Sequence, residues 1–310
     1  MVLMYQVDVT KPVPADRSEI FPPLALNSES LLWRYADQRM GLTGLAAGLL
    51  QLMHPGIGAG VVSHSNFFDD PWDRIFRSLP QIMSVIFEAP GEPAERAGRK
   101  VRNHHRRING VDYLGRQYDA LDPETYWFAH ATFQYSVHEV AENYSFNRMT
   151  LPLKEQLYRE GVEWYRRYDV PMDPVPPDHA AFVTKWSEVC TTVLEITPAA
   201  DRALDIALNG SANLTILPTW TEPLQKYVIT PVLRLTALGG MPPIVRDRFG
   251  LPWTLENQVE LGILRQVIKR TWRFTPEWLR WGPQGVAGRQ RERIERKLAS
   301  IETEISVEAA

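Results

Sequence analysis

Apolar residues recur at steps of three and four along most of the chain, a spacing typical of helices with one buried face. One such stripe is formed by Ile75, Leu79, Ile82 and Ile86. Residues 126–137 are apolar or aromatic on every side, which indicates a central helix surrounded by protein. The strand-like runs are too short to build a sheet. We therefore predict an all-α fold, a single globular domain of many helices.

Capping residues and helix breakers give the expected bounds of these helices. Asp122 and Pro123 suit the start of the central helix, Gly110 suits the end of the helix before it, and Pro55 should end the first helix. The helices expected from these signals cover residues 28–53, 71–86, 94–109, 123–147, 153–168, 178–196, 198–208, 220–238, 255–271 and 286–301.

The first expected helix carries a face of small residues. Gly41, Gly44, Gly48 and Gln51 follow one another at three- and four-residue steps, and His54 continues the same face. Because glycine has no side chain, such a face lets another helix or a flat ligand approach the backbone closely. We therefore treat Gln51 and His54 as candidate site residues.

Composition excludes several classes of function. The net charge is −3 and no clustered basic surface is visible, so we expect no nucleic-acid partner. Cys190 is the single cysteine, which rules out an internal disulfide and fits a reducing compartment. No signal peptide is apparent at the N-terminus. We expect a cytoplasmic protein, and the pattern does not predict its oligomeric state.

One stretch is long and uncharged enough to raise the question of a membrane span. Residues 40–68 contain no Asp, Glu, Lys or Arg, and a span needs about 20 apolar residues. The same stretch contains Gln51, His54 and His64, and Pro55 interrupts it. We interpret it as buried core and expect no membrane span.

The chain divides into three expected parts. Residues 1–27 form an N-terminal arm, residues 28–275 form the main helical domain, and residues 276–310 form a charged C-terminal helix packed on that domain or trailing from it. The Pro-rich segment 171–177 is short enough to be a rigid connection inside one domain.

Histidines are the residues with the clearest capacity for chemistry. His104 and His105 lie on opposite shoulders of one apolar stripe, so spacing alone allows either ring to point inward. His130 lies within the most apolar helix. For each one alone, a hydrogen-bonded core histidine is the simpler interpretation, but several on neighbouring buried helices favour a shared site. The seven histidines are His54, His64, His104, His105, His130, His138 and His179.

The chain lacks several motifs in which histidine usually acts, which limits the chemistry these histidines can perform. The chain has no Glu-x-x-His pair, no His-Glu-x-x-His, no Gly-x-Ser-x-Gly elbow and no phosphate-binding glycine loop. Cys190 has apolar neighbours and is interpreted as a core residue. What remains is a buried imidazole without carboxylate ligands beside it. This suits haem iron, which needs one proximal histidine and an apolar slot, so we predict a buried haem pocket between helices.

Four segments, in order along the chain, resemble the catalytic domain of the MpaB/rubber-oxygenase (latex clearing protein) family. They are GLLQLMHPGIGAGVVSHSNFFDDPWDRIFRS (48–78), VRNHHRRINGVD (101–112), YDALDPETYWFAHATF (118–133) and MPPIVRDRFGLPW (241–253). The resemblance extends over about residues 28–274. It implies an all-α fold and, in the rubber-cleaving branch, a haem b held by a histidine of a Val-Arg-x-x-His helix.

Applied residue by residue, the resemblance implies a set of site residues. The Val-Arg-x-x-His pattern selects His105 rather than His104 as the iron ligand. The family's Arg-x-x-Lys/Arg-Thr motif beside the haem falls on Arg74, Arg77 and Ser78. The two arginines are expected to pair with a haem propionate or to stabilise negative charge at the oxygen site.

The family's Trp-x-x-His-Ala-Thr helix supplies the remaining candidates. It falls on Trp127, His130 and Thr132 of this chain. We expect His130, Thr132 and Gln51 to contact the cofactor, Thr132 through its hydroxyl group. His54 and His130 are the candidates for a distal or supporting imidazole.

The chain departs from the rubber-cleaving branch at three points. Ser78 replaces the usual threonine, and Arg77 stands where that branch has lysine. That branch also uses a glutamate upstream of the arginine motif as a base, whereas residues 40–68 contain no acid. Rubber cleavage is therefore not the expected reaction.

The leading hypothesis is a haem b-dependent oxygenase that uses O2 on a small or medium apolar substrate. The alternative is a non-catalytic helical protein that binds haem or a lipid-like ligand as a sensor, carrier or interaction partner. A third hypothesis is a relative that has lost haem and retains its histidines for structure. Oxygen consumption and the presence of haem distinguish the three.

Overall fold

The computed structural model describes residues 20–65, 71–209 and 218–308, with the backbone alone at 71–76 and 307–308. Within these segments nearly all regular structure is helical, and the strands are two of three residues each. The all-α prediction is confirmed.

The helices follow one another in short steps. In the first half they are α1 (Leu31–Tyr35), α2 (Met40–Met53), α3 (Pro55–His64), α4 (Pro71–Phe87), α5 (Glu92–His104), α6 (Pro123–Asn143) and α7 (Leu151–Arg166). In the second half they are α8 (His179–Thr192), α9 (Pro198–Asn209), α10 (Glu222–Leu224), α11 (Thr230–Gly239), α12 (Pro243–Arg248), α13 (Leu255–Thr271), α14 (Glu277–Arg280) and α15 (Pro283–Glu308).

Helix α6 is the centre of the core, as its uniformly apolar sequence predicts. The Asp122 side chain caps it by accepting a hydrogen bond from the backbone N–H of Thr125. Twelve of its 21 residues are buried. Helix α2 packs along one side of it and α7 along the other. The site residues carried by α6 therefore face two different neighbours.

A tight turn at residues 36–39 separates α1 from α2, so the single helix expected over 28–53 is wrong. The Asp37 carboxylate accepts the backbone N–H of Arg39 (3.0 Å) and also bonds its guanidinium group (2.8 Å). Trp272 Nε1 donates to the same carboxylate (2.8 Å), and Arg39 donates to the carbonyl of Tyr144 (3.0 Å). A side chain that captures backbone donors competes with helix formation, and these distant partners hold the turn in place.

A sharp bend follows at Pro55. Helix α2 ends there as expected, and a new helix, α3, begins at Pro55 and continues through the glycine-rich segment. Proline is favoured at a first helical position because its φ angle is already helical. A Cβ at Gly58 would lie 2.6 Å from the Leu52 carbonyl oxygen and 2.7 Å from Thr197 Oγ1. Glycine here lets α3 lie close to α2 and to the start of α9.

Among the described helices, none is by itself long and apolar enough to cross a membrane. The pair α2 and α3 meets the length and composition test when taken together, but its two helices are bent by 95°.

A small β-hairpin follows α5, where the sequence predicts a longer helix. Helix α5 ends at His104 rather than at Asn109, and strands β1 (Asn109–Val111) and β2 (Gln117–Asp119) pair in antiparallel register. The Asp112 carboxylate accepts the backbone N–H groups of the turn, and Gly115 has a φ of +81°. This turn chemistry favours a hairpin over a continued helix. Strands of three residues are too short to be recognised from the alternation of polar and apolar residues in the sequence.

The helix expected over 220–238 is broken into short pieces. A 3₁₀ turn (Thr219–Thr221) and α10 lead into a π-helical turn (Gln225–Ile229), and α11 follows. Pro231 has no N–H to offer the carbonyl four residues before it, which disrupts the regular pattern. The hydroxyl group of Thr230 donates to the carbonyl of Gln225 (2.8 Å) within this turn. A π turn accommodates such a local mismatch.

Candidate functional site around His105

His105 lies at the end of α5 and is held in one orientation. Its Nδ1 lies 2.9 Å from the carbonyl oxygen of Val101. A carbonyl only accepts, so Nδ1 carries the proton and Nε2 carries the lone pair in the neutral ring. The half-buried imidazole meets the ring of Tyr126 edge to face, with centroids 5.7 Å apart. A histidine fixed through Nδ1 in this way is the usual form of a metal-binding imidazole.

His104 points the other way. Its ring is exposed, and its Nε2 donates to the side-chain oxygen of Gln81 on α4 (3.0 Å). The sequence spacing left the choice between the two histidines open. In the structure His105 packs inward and His104 forms part of the surface between α4 and α5.

Arg102 anchors the end of this helix to a distant loop. Its guanidinium donates to the carbonyl oxygen of Asp169 (2.6 Å) and forms an ion pair with the carboxylate of the same residue. Asp169 has a φ of +56°, an uncommon conformation for a residue other than glycine. The Val-Arg-x-x-His pattern therefore has a local explanation, because Val101 orients His105 and Arg102 fixes the helix that carries it.

The arginine motif lies on α4, the helix that packs beside α5. Arg77 and Ser78 are exposed there, one turn before Gln81, which contacts His104. Arg74 lies on the same helix, and its side chain falls outside the described part of the structure. The described residues do not outline a closed haem pocket at this place. They show two neighbouring helices that bring Arg77 and Ser78 to the side of the bundle that carries the end of α5.

Gln51 and Thr132 are brought together, but in a contact between α2 and α6. Gln51 Nε2 donates to Thr132 Oγ1 (2.7 Å) and to the carbonyl of Ala129 (3.1 Å). The Thr132 hydroxyl group donates to the same carbonyl (2.8 Å). In these bonds the Gln51 amide and the Thr132 hydroxyl group are paired with each other and with the α6 backbone. The contact that the structure shows for this pair therefore joins the two helices.

His130 lies on the opposite side of α6, against α7. Its Nε2 donates to the carbonyl of Gly161 (3.0 Å), and its ring packs on Trp164 with centroids 4.7 Å apart. Burial lowers the pKa of His130 to about 3, so the ring is neutral at pH 7. Its buried Nδ1 has no hydrogen-bond partner among the described residues.

A continuous cluster of rings connects His130 with His105. Tyr168 lies 5.8 Å from His130 and 5.6 Å from Tyr126, which in turn contacts His105. The buried hydroxyl group of Tyr126 has no hydrogen-bond partner among the described residues. We call this group the aromatic cluster; its members are His105, Tyr126, His130, Trp164, Tyr165 and Tyr168. The tyrosines were missed at the sequence level, where the four-residue step from Tyr126 to His130 was the one available signal.

His54 belongs to the α2 side of α6 rather than to this cluster. It occupies the bend between α2 and α3, and its ring stacks on Phe128 with centroids 5.2 Å apart. Burial lowers the pKa of His54 to about 4, although the carboxylates of Asp122 and Glu195 act in the opposite direction. The predicted site residues therefore divide between two sides of α6, with Gln51, His54 and Thr132 on one side and His105 and His130 on the other.

His138 is a buried histidine with no role predicted from the sequence. Neither ring nitrogen has a hydrogen-bond partner among the described residues, and the ring stacks on His179 with centroids 5.0 Å apart. Burial, with a smaller contribution from His179, lowers the pKa of His138 to about 3. The unfolded chain takes up a proton below pH 6.5, the ordinary pKa value, whereas the folded chain does so only near pH 3. Folding stability must therefore decrease as the pH falls through this interval.

We expect His138→Phe to reduce this acid sensitivity, because phenylalanine keeps the ring stack and removes the titrating group. The substitution should remove up to about 1.4 kcal/mol per pH unit from the pH dependence of the free energy of unfolding. The measurement is the free energy of unfolding in urea at pH 7 and pH 4.5. Replacement of the exposed His64 by Gln serves as the control. Equal losses of stability on acidification in His138→Phe and in the wild type would contradict the prediction.

A groove of about 390 Å³ lies elsewhere, between residues 24–26 and the first half of α7. Pro152, Gln156 and Arg159 line it, and none of the predicted site residues does. In the described parts of the chain, no three His, Cys, Asp or Glu side chains are grouped so that they could hold a metal ion. A metal at His105 would thus need most of its ligands from another source.

Comparison with known proteins matches most of the chain to a protein family. The family model described as "ER-bound oxygenase mpaB/B'/Rubber oxygenase, catalytic domain" matches residues 33–275. This range contains 243 of the 310 residues, well over half of the chain. The chain belongs to this family. No match was found among curated proteins or among solved structures.

Membership of the MpaB/rubber-oxygenase family confirms the resemblance carried by the four sequence segments. The family is one of oxygenase catalytic domains, so it supports an oxygenase function in general terms. The matched range begins within α1 and ends just before α14, and it includes α4, α5 and α6. Helix α15 lies outside it.

Proposed function

We propose that the protein is a haem b-dependent oxygenase acting on a small or medium apolar substrate, with His105 as the proximal iron ligand. The observation that carries the proposal is the bond from His105 Nδ1 to the carbonyl of Val101. It fixes the orientation of the ring and the tautomer with the proton on Nδ1, which is the form that metal-binding histidines usually adopt. Family membership supplies the oxygenase part of the proposal.

The residues around His105 fit a porphyrin better than a bare metal ion. A single imidazole is sufficient for haem because the porphyrin supplies four nitrogen ligands itself, whereas a protein-only site needs several side chains. The His105 ring packs on Tyr126, and Tyr126 packs in turn on Tyr168. The hydroxyl group of Tyr126, which has no hydrogen-bond partner within the described segments, offers a hydrogen bond to a polar group of a ligand.

The charged and neutral groups have distinct tasks in this proposal. Arg77, and Arg74 on the same helix, supply positive charge for the propionates of the haem or for negative charge that develops on oxygen. The hydroxyl group of Ser78 supplies a hydrogen bond. His54 and His130 are neutral at pH 7 because burial lowers the pKa of each. Each could therefore form a hydrogen bond with a ligand without adding charge to the site.

The bound haem would supply the capacity to activate O2, and the protein would supply position and exclusion of water. Thr132 and Gln51 join α2 to α6, which fixes the helix that carries His130 and Tyr126. Arg102 fixes the end of α5 through Asp169. Residues 40–68 carry no acid that would bind a cationic substrate or serve as the base of the rubber-cleaving branch, which supports the choice of an uncharged, apolar substrate.

The test is an absorption spectrum and a pyridine haemochrome assay on the haem-supplemented protein, followed by measurement of oxygen uptake. The substrates would be short terpenes and unsaturated fatty acids. We expect one haem per chain, a Soret band, and oxygen uptake that depends on substrate. Haem binding without substrate-dependent uptake would indicate a haem carrier or sensor. A protein without a Soret band would refute the haem mechanism.

A further inference from the structure

The C-terminal helix leaves the rest of the protein half-way along its length. In its first half, Arg291 donates to the carbonyl of Phe87 (2.9 Å), and the Glu292 carboxylate accepts the backbone N–H of Ser28 (3.0 Å). Every residue from Arg293 to Ser306 is exposed. At 1.5 Å per residue this half extends about 20 Å, and an isolated helix of that length is marginal in water.

One face of the exposed half is aliphatic. Ile294, Leu298, Ile301 and Ile305 follow one another at steps of four, three and four, and their exposed fractions are 53%, 55%, 41% and 61%. This spacing assigns them to alternating d and a positions of a heptad repeat. The hydroxyl groups of Ser300 and Thr303, which lie outside this stripe, bond to carbonyls of the helix itself. Among the described residues nothing covers the stripe, which is a seam of apolar side chains on a mostly polar half-helix.

The charges beside the seam favour identical, parallel neighbours. Lys297 occupies a g position and Glu302 the e position five residues later, so each lysine faces a glutamate of the next copy in a parallel arrangement. An antiparallel arrangement would set Glu302 against Glu295 of the other copy. Opposite charges at these positions select a partner and an orientation.

We infer that residues 294–308 of α15 join copies of this chain in a parallel coiled coil. The occupant of the seam is the same helix of another copy, because the pattern is complementary to itself. Leu298 occupies an a position, and Ile294 and Ile301 occupy d positions. This combination favours coiled coils of three or four helices over two. The assembly lies outside the matched catalytic domain and does not depend on the proposed haem site.

The test is the mass of the full-length protein by light scattering coupled to gel filtration. We expect about three or four times the chain mass of 35.5 kDa for the wild type. Ile301→Glu places a charge in the seam and should reduce the mass to that of one chain. Thr303→Glu, on the opposite side of the same turn, should leave the mass unchanged. A monomeric wild type would overturn the inference, and so would an oligomer that survives Ile301→Glu.

Charge exchange tests the orientation. Lys297→Glu should weaken the assembly, and the double variant with Glu302→Lys should restore it, because the pair is re-formed with its signs reversed. Rescue by Glu304→Lys in place of Glu302→Lys would indicate antiparallel helices and would overturn the parallel arrangement. The near-ultraviolet circular dichroism of every variant should match the wild type, which shows that the catalytic domain is folded.

Discussion

The His105→Ala variant should lose haem completely, whereas His104→Ala should retain one haem per chain. The reason is geometric, since His105 is fixed through Val101 and packs inward, while His104 is exposed and bonds to Gln81. The measurement is the haemochrome content and the Soret absorbance after equal supplementation. The two adjacent residues have the same chemistry, so the pair controls for the general effect of removing an imidazole.

A further variant separates ligand loss from damage to the fold. His105→Gly leaves space for free imidazole, which should restore the Soret band if the residue is the iron ligand. Retention of haem by His105→Ala together with its loss from His104→Ala would show that the assignment is reversed. Loss from neither variant would place the iron ligand outside this pair of residues.

The Gly98→Ala variant should be among the least stable single substitutions in this protein. Gly98 lies in α5, where a Cβ would overlap the backbone carbonyl of Arg167 and come within 2.9 Å of the Tyr168 nitrogen. Backbone atoms cannot move aside cheaply, so the helix itself must shift. We expect a loss of more than about 4 kcal/mol in the free energy of unfolding in urea. Because His105 follows two turns later on the chain, haem affinity should decrease as well.

Gly44→Ala is the matched control. Gly44 lies in the interior of α2, is exposed, and would have no atom within 4 Å of an added Cβ. Alanine has the higher helix propensity, so stability should increase by up to about 1 kcal/mol. Equal stabilities for Gly98→Ala and Gly44→Ala would show that α5 does not pack against Arg167 as described.

The sequence predicted elements whose signals are local. The apolar residues of α6 and the cap at Asp122 identified the central helix, and the expected bounds of α13 agree with the structure. The turn at Asp37 was missed because its partners, Tyr144 and Trp272, lie more than a hundred residues away. No local pattern reports such a contact.

The positions of the site residues were less predictable from local sequence patterns than the helices were. The family resemblance, rather than periodicity, selected His105 over His104, and the structure turns the His105 ring inward. Periodicity on α6 could not show that Thr132 and His130 face different helices, because that depends on where α2 and α7 pack. The placement of the Arg74 side chain falls outside the described residues, so its role stays a prediction.

Tryptophan fluorescence from the aromatic cluster would report binding of haem at the proposed site. The indole of Trp164 lies against His130, in the ring contacts that lead to His105. Tryptophan emits light at wavelengths that overlap the Soret absorption of a porphyrin, so an excited indole near a bound haem loses its energy by transfer. Titration with haem should therefore dim the native fluorescence in proportion to occupancy, which would give an affinity without any label.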